Sequence, residues 1–273
     1  MGDIIPLFPL GTPLFPGVVL PLQIFEPRYR RLMGDLMRLP EAGDDRFFGV
    51  VAIRQGWEVE RVAPAEALYD IGCTARLQAV RPQPDGGFRI VTVGGDRFRL
   101  LDVVVGDDSP YLRAEVEWLA EEEAAEEAAG DSDGLVGADG PGLDSLAGLV
   151  ASVAHSSLGL LARGVQDLFT RYVAEVAELS VGGEAGGDAA EAVGAETAVL
   201  LGAVDDDPAA LSYLVASAAL LTTEDRQALL AESATRRRLA VESRLLRREL
   251  TLLQTLGAVP APLHRFTTPM TVN

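Results

Sequence analysis

Residues 5–17, IPLFPLGTPLFPG, decide the fold, because they set four prolines among large apolar side chains. Prolines at positions 6, 9, 13 and 16 argue against a regular central strand, since proline has no backbone N–H to donate to a ladder. We therefore expect kinked edge strands around a turn at Pro16-Gly17. The apolar side chains have two possible roles. They either close one end of a small barrel, or line a groove for an extended peptide that the prolines keep preorganised.

Period-two patterns after this stretch predict a β-rich region up to residue 119. Ile71–Ala79 and Leu112–Trp118 alternate apolar and polar side chains, as half-buried antiparallel strands do. Phe47–Ile53 is a continuous apolar run, which favours a central strand. Pro84–Gly87 predicts a hairpin turn, and we expect Gly94-Gly95 to form a second turn of this kind. Roughly six to eight short strands follow, which is typical of a small barrel or sandwich.

One helix is predicted within this β-rich region. Glu26 precedes Pro27, and proline is favoured at the first position of a helix. Pro40 would stop the element. The apolar residues between them have three-to-four spacing: Tyr29, Leu32, Met33 and Leu36.

An acidic, low-complexity stretch then divides the chain. Residues 121–142 read EEEAAEEAAGDSDGLVGADGPG, and such clustered like charge predicts a solvated linker over 120–142. Beyond it the apolar period becomes helical, although glycines at 148, 159 and 164 argue against one unbroken helix. Residues 181–197 are rich in Gly, Ala and Glu, and we expect a flexible insert there.

Three further helices are predicted near the C-terminal end. Asp207 and Pro208 form a cap followed by a first-position proline, and Thr222 or Thr223 begins the next helix. The last helix runs from about Ser233 to Leu256 and carries two adjacent leucine-rich stripes, which indicates a broad buried face in a helical bundle. We therefore predict an α+β fold with a β-barrel-like subdomain (1–119), the linker (120–142), an α-helical subdomain (143–257) and a C-terminal tail (258–273).

Charge and composition limit the functions and the cellular location that we expect. The net charge of −18 disfavours nucleic-acid binding, because phosphates would be repelled overall. No apolar window is long enough to predict a membrane helix, and Met1–Pro6 lacks the basic start of a secretory signal. The single cysteine, Cys73, cannot form an internal disulfide, so we expect a cytoplasmic protein. Its position on the apolar face of a strand indicates an inert thiol rather than a nucleophile.

All 23 basic residues of the chain are arginines. A P-loop ATPase needs a lysine at the phosphates, and a Ser-Lys protease needs a lysine that can accept a proton. Arginine stays protonated and cannot act as that base. We therefore expect no ATPase, Ser-Lys protease or Schiff-base chemistry from these residues, and we do not expect an enzyme.

Several ordered blocks of this sequence match one known family. Residues 6–33, PLFPLGTPLFPGVVLPLQIFEPRYRRLM, resemble the opening signature of the N-terminal domain of Lon-type proteases, especially its stand-alone bacterial members. The resemblance covers about 1–119 and 143–257. Later blocks follow in the order of the family: Phe48–Val51, Ile71–Ala75, Val93–Leu100, Pro208–Ala216 and Arg226–Leu230.

The resemblance implies a PUA-like pseudobarrel with a short helix, followed by an α-helical bundle. It also implies a non-catalytic substrate-recognition module that binds unfolded peptide or a protein partner, with a role as an adaptor in proteolysis or quality control. No cofactor or metal is expected, because one cysteine and two distant histidines, His155 and His264, cannot supply four soft ligands. The candidate peptide-contacting residues are Leu7, Phe8, Pro9, Phe15, Pro16 and Phe25.

Two other classes of function stay open. One is a small-molecule-binding or hydrolytic protein that uses the mouth of the barrel, and the other is a PUA-like RNA binder. Arginines of the last helix give a basic face that either pairs with nearby glutamates or docks an acidic partner or the chain's own acidic stretch. These arginines are Arg236, Arg237, Arg238, Arg244, Arg247 and Arg248, and the glutamates are Glu232, Glu242 and Glu249.

Overall fold

The computed structural model describes residues 2–40, 46–54, 65–104, 109–121, 143–181 and 186–257, without the side chains of 143–155 and 180–191. Most of the predicted linker (120–142), the predicted tail (258–273), His264 and the side chain of His155 lie outside these residues. The predictions made for them therefore stay predictions.

Six strands form one sheet that closes on itself. Their order is β2-β5-β4-β3-β1-β6, and β6 pairs back with β5, which makes the predicted pseudobarrel. β1 and β3 pair in parallel, and the other pairs are antiparallel. The bounds are β1 Asp3–Leu10, β2 Val19–Ile24, β3 Phe47–Ile53, β4 Leu68–Pro82, β5 Phe88–Val104 and β6 Arg113–Leu119.

The prolines of β1 are accommodated in a way that the sequence did not predict. β1 is an interior strand of the sheet, not an edge strand, but it changes partner at its middle. Asp3–Pro6 pairs with β6, and Leu7–Leu10 pairs with β3. Each half therefore has a ladder on one side, so a proline can be placed where no backbone donor is required.

The expected turn at Gly94-Gly95 is wrong, because both glycines lie inside the 17-residue strand β5. The register between β4 and β5 shifts beside them, between Cys73 and Ala75. A Cβ atom at Gly94 would lie 1.9 Å from the carbonyl oxygen of Phe15. Glycine is needed here because the two backbones approach closely, and not because the chain reverses. The other predicted turn, at Pro84–Gly87, is present between β4 and β5.

β4 is buried on both faces over Ile71–Ala75, not on one face as its period-two pattern predicts. The ring of Phe98 lies over Gly72, where a Cβ atom would be only 2.3 Å from the ring. β6 is buried at Ala114 and Val116 as predicted, but Trp118 is 40% exposed. The strand pattern identified the elements, while the packing of the closed barrel decided which faces are covered.

Six α-helices complete the described structure, and the starts of α1, α4 and α5 follow the sequence signals. They are α1 Pro27–Leu36, α2 Leu143–Val181, α3 Gly186–Gly202, α4 Pro208–Ala218, α5 Thr223–Ala231 and α6 Thr235–Leu256. The carboxylate of Asp207 caps α4 by accepting from the backbone of Ala210, and Thr222 caps α5 in the same way from Asp225. The four apolar residues predicted to face inward from α1 are all buried.

The glycines of the helical subdomain interrupt the helices less than the sequence predicts. α2 is one unbroken helix of 39 residues through positions 148, 159 and 164. Its buried positions, among them Val165, Phe169 and Tyr172, pack with the leucines of α6 in one core. This packing outweighs the glycine penalty of about 1 kcal/mol per residue. Where the structure describes the predicted flexible insert (181–197), which is at 181 and 186–197, the backbone is helical.

Polar contacts from α5 fasten the helical subdomain to the barrel. Gln227 donates from Nε2 to the carbonyl oxygen of Ile71 in β4 at 2.7 Å. Arg226 donates from Nη1 to Thr12 Oγ1 at 2.9 Å, and its other nitrogens donate to carbonyl oxygens near the end of α4. Phe15 lies in the same apolar core as Tyr213 of α4, with ring centroids 6.1 Å apart.

Two buried arginines complete this junction. Arg97 of β5 and Arg238 of α6 each bring an Nη2 atom to 2.9 Å from a different oxygen of Glu121. Tyr213 donates its hydroxyl to Glu121, and its ring lies 4.0 Å from the guanidinium carbon of Arg238. Arg238 is therefore not part of the exposed basic face predicted from the sequence. It meets the first residue of the acidic stretch. Arg237 pairs with Glu232, which follows the end of α5 and is not on α6, so this ion pair differs from the pairing at helical spacing that the sequence predicts.

Candidate functional site

An apolar cleft opens between β1, β2 and the start of α1. Its volume is about 360 Å³, and it is lined by Phe8–Leu10, Leu22–Glu26, Arg28 and Tyr29, Ile53, and Leu112. Most of these side chains are aliphatic or aromatic, and the only charged ones are Glu26 and Arg28. Such a lining favours apolar ligand groups, with a small number of polar groups to orient them.

The wall on the α1 side is a short stack of side chains. The rings of Phe8 and Tyr29 lie 4.0 Å apart at an interplanar angle of 27°. The guanidinium carbon of Arg28 lies 4.7 Å from the centre of the Tyr29 ring. Arg28 also donates from Nε to Glu26 at 2.8 Å, so the polar end of the cleft holds a neutralised pair. Burial raises the pKa of Tyr29 above its ordinary value, which keeps its phenol uncharged.

The structure divides the sequence-predicted contact residues between the cleft and the core. Phe8, Pro9 and Phe25 line the cleft, and Phe25 is 62% exposed at its rim. Leu7 and Phe15 are only 0% and 1% exposed, since they fill two different cores. The structure therefore assigns Leu7 and Phe15 to the core, and not to the peptide-contacting surface that the sequence predicted. Pro16, the remaining candidate, is partly buried and lies outside the cleft lining.

Several lining residues were not identified from the sequence. Leu10, Leu22 and Ile24 belong to β strands whose alternation does not say which neighbours they meet. Ile53 and Leu112 come from segments distant in sequence, and only closure of the barrel brings them to the cleft. Arg28 follows the first-position proline of α1, and this sequence pattern predicted the start of the helix but not a binding site.

The cleft lies beside an open strand edge. Within the described residues, β2 pairs only with β5. Gly94 donates its N–H to the carbonyl of Val18 at 2.9 Å, which fixes the side of β2 that faces β5. By alternation, the N–H groups of Val19 and Gln23 point to the other side. Pro21 falls on that open side too, where its missing donor costs no ladder bond. An edge of β2 that has no strand partner among the described residues is of the kind that can accept an extended chain.

The described side chains offer no evident catalytic or metal-binding set. Cys73 is buried outside the cleft, and burial raises the pKa of its thiol to about 12. A thiol with that pKa is protonated at neutral pH and therefore a poor nucleophile. In the part of the chain that the structure describes, no three His, Cys, Asp or Glu side chains are grouped closely enough to hold a metal. No described helix is long and apolar enough to cross a membrane.

Comparison with known proteins points to one family. The model of the family described as ATP-dependent protease La (LON) substrate-binding domain matches residues 4–248. Lon protease 1 of Herpetosiphon aurantiacus is 28% identical over 255 residues, which cover 92% of this chain and 24% of that protein. Lon protease 2 of Myxococcus xanthus is 30% identical over 125 residues, which cover 45% of this chain and 14% of that protein. The chain therefore spans about a quarter or less of these relatives.

One solved structure agrees with this assignment at the level of the fold. The N-terminal domain of a Lon protease from the Mycobacterium avium complex has a TM-score of 0.52 and 17% identity, with 90% of this chain and 98% of that chain covered. A Lon N-terminal domain protein from Xanthomonas campestris is 23% identical, with a TM-score of 0.49, and the match covers 94% of this chain and 99% of that one.

Proposed function

Since the chain belongs to the family of LON substrate-binding domains, we propose that it binds unfolded polypeptide through the cleft between β1, β2 and α1. The observation that supports this most directly is the position of the cleft. An apolar cavity of about 360 Å³ lies beside the open edge of β2, with Phe25 at its rim. An added strand on β2 would supply main-chain hydrogen bonds, and the cleft would take apolar side chains.

We propose that the chain itself performs no chemistry on the bound polypeptide. With 23 arginines and no lysine, it has no side-chain amine to contact nucleotide phosphates or to take a proton from a serine. The thiol of Cys73 is buried, so it cannot act as an accessible nucleophile instead of the missing amine. The role that fits is recognition, as an adaptor in proteolysis or quality control in the cytoplasm.

The proposal is tested by removing the exposed aromatic group at the rim. Full burial of a phenylalanine is worth about 1.5–3 kcal/mol. Phe25 is 62% exposed in the free chain, so its remaining burial is worth about 1–2 kcal/mol. We expect Phe25→Ser to raise the Kd about fivefold to thirtyfold. The readout is fluorescence anisotropy of a fluorescein-labelled peptide in which Leu, Ser, Phe and Ser repeat.

A matched control is Leu160→Ser, because Leu160 is 65% exposed but lies on α2, far from the cleft in sequence and element. Its Kd should equal that of the unchanged chain. If both variants are folded by circular dichroism and bind the peptide equally well, the cleft is not the peptide site.

A further inference from the structure

A second groove lies on the outer face of the sheet, across β2, β5 and β4. Its volume is about 490 Å³. The strand registers align six exposed side chains there in two rows, one of apolar groups and one of polar or basic groups. The rows are Ala79–Val91–Pro21 and Arg81–Arg89–Gln23. We call this surface the outer groove.

Among the residues that the structure describes, the two arginines of the outer groove have no counter-charge. Arg81 and Arg89 are direct cross-strand partners between β4 and β5. Like charges directly opposite each other on a sheet repel, and this placement destabilises the free chain. In the described residues, neither guanidinium has a carboxylate at ion-pair distance, although Arg76 on the same sheet pairs with Asp96 at 2.7 Å. This is unusual in a chain with 41 acidic residues and a net charge of −18.

We propose that the outer groove binds an acidic segment of an extended polypeptide. A bound carboxylate would lie between the two guanidiniums and relieve their repulsion, while the apolar row would contact a neighbouring apolar side chain. Arginine suits this role because its planar guanidinium binds carboxylates in a two-pronged geometry. The charge of the surface selects an anionic ligand, and the exposed Val91 and Pro21 select one that also carries apolar groups.

The spacing of the two rows defines the ligand further. The rows are two residues apart along each strand, which is about 7 Å in an extended chain. A segment running along β5 therefore satisfies both rows when an acidic residue stands two positions from an apolar one. The alternation puts both side chains on the same side of the bound segment.

The outer groove is continuous with the cleft, because Leu22 and Gln23 of β2 line both. One client polypeptide could thus fill the cleft with apolar side chains and reach the outer groove with acidic ones. This inference rests on the proposed function, since it assumes that the chain binds extended polypeptide. It adds that clients with alternating acidic and apolar residues bind more tightly than neutral ones.

The test compares two fluorescein-labelled peptides, one repeating Leu-Ser-Glu-Ser and one repeating Leu-Ser-Gln-Ser. The unchanged chain should bind the acidic peptide more tightly, and this preference should weaken as salt is raised. The Arg81→Gln/Arg89→Gln variant should bind the acidic peptide about tenfold or more weakly and the neutral peptide as before. Both side chains are exposed, so the variant is expected to fold.

The control variant, Arg163→Gln/Arg171→Gln, removes the same charge from exposed positions of α2 and should keep the acidic preference. Equal loss of acidic-peptide binding in both variants would show a general charge effect and overturn the proposed role of the outer groove. Unchanged acidic binding by Arg81→Gln/Arg89→Gln would overturn it too, and Phe25→Ser then shows separately whether the cleft still binds. Competition by a single-stranded RNA oligonucleotide that depends on Arg81 and Arg89 would assign the site to phosphates and refute the proposal.

Discussion

Removing the carboxylate of Glu121 should destabilise the junction between the barrel and the helical subdomain. The side chains of Arg97 and Arg238 are 2% and 0% exposed, and both lie 2.9 Å from this one carboxylate. Breaking a buried ion pair by removing one partner costs about 3–5 kcal/mol. Two facts reduce this figure. The Glu121 side chain is itself 37% exposed, and both arginines keep neutral acceptors such as the Leu230 and Glu232 carbonyl oxygens.

We therefore expect Glu121→Ala to lower the free energy of unfolding by about 2–4 kcal/mol. At about 2–4 °C per kcal/mol for a chain of this size, Tm should fall by about 4–16 °C. Differential scanning calorimetry would measure it. The control is Glu117→Ala, since Glu117 pairs with Arg99 at 3.2 Å on the surface, where both side chains are 54% exposed. Exposed pairs are worth about 0–1 kcal/mol. If the two variants melt at the same temperature, the shared carboxylate does not hold the junction.

Two further predictions concern single buried positions. Burial raises the pKa of Glu242 well above its ordinary value, against the opposing charge of Arg238, and neither carboxylate oxygen has a hydrogen-bond partner within the described part of the chain. The folded state thus holds a proton that the unfolded state releases, so the free energy of unfolding should fall as pH rises from the ordinary carboxyl pKa through the raised one. The Tm of Glu242→Gln should therefore exceed that of the unchanged chain by a margin that grows with pH. A margin that stays constant with pH would contradict this. In urea unfolding, Gly94→Ala should lower the free energy of unfolding by about 2–3 kcal/mol, because its Cβ atom would clash with Phe15. The control, Gly164→Ala, should stabilise α2 by about 0.5–1 kcal/mol, since a Cβ atom there would have nothing within 4 Å. Equal effects of the two substitutions would contradict the close approach of the backbones at Gly94.

Local signals in the sequence predicted local structure well. The start of α1 at Pro27 and the cap at Asp207 each depend on a few neighbouring residues, and the structure confirms them. The continuous apolar run of β3 likewise predicted a central strand, which lies between β4 and β1. These features are set by backbone geometry and by contacts within one element, so they can be read without knowing the fold.

Features that depend on the closed barrel could not be predicted in this way. Gly94-Gly95 has the composition of a turn, but its role is set by Phe15, which is distant in sequence. The glycines of α2 carry a local penalty that packing on α6 outweighs. The predicted contact residues were likewise chosen by type, and residue type does not distinguish an apolar side chain in a core from one in a cleft.

The stretch 5–17 illustrates this point and determines how binding must be tested. Leu7 fills one core, Phe8 stacks on Tyr29 at the wall of the cleft, and Phe15 packs near Tyr213 at the junction with the helices. Phe8 and Phe15 are only 7% and 1% exposed, so a charge at either position would be buried and unpaired. Loss of peptide binding in such variants would then report unfolding as readily as a lost contact. The binding tests therefore use residues that the folded chain leaves exposed, which are Phe25 for the proposed cleft site and Arg81 and Arg89 for the proposed outer-groove site.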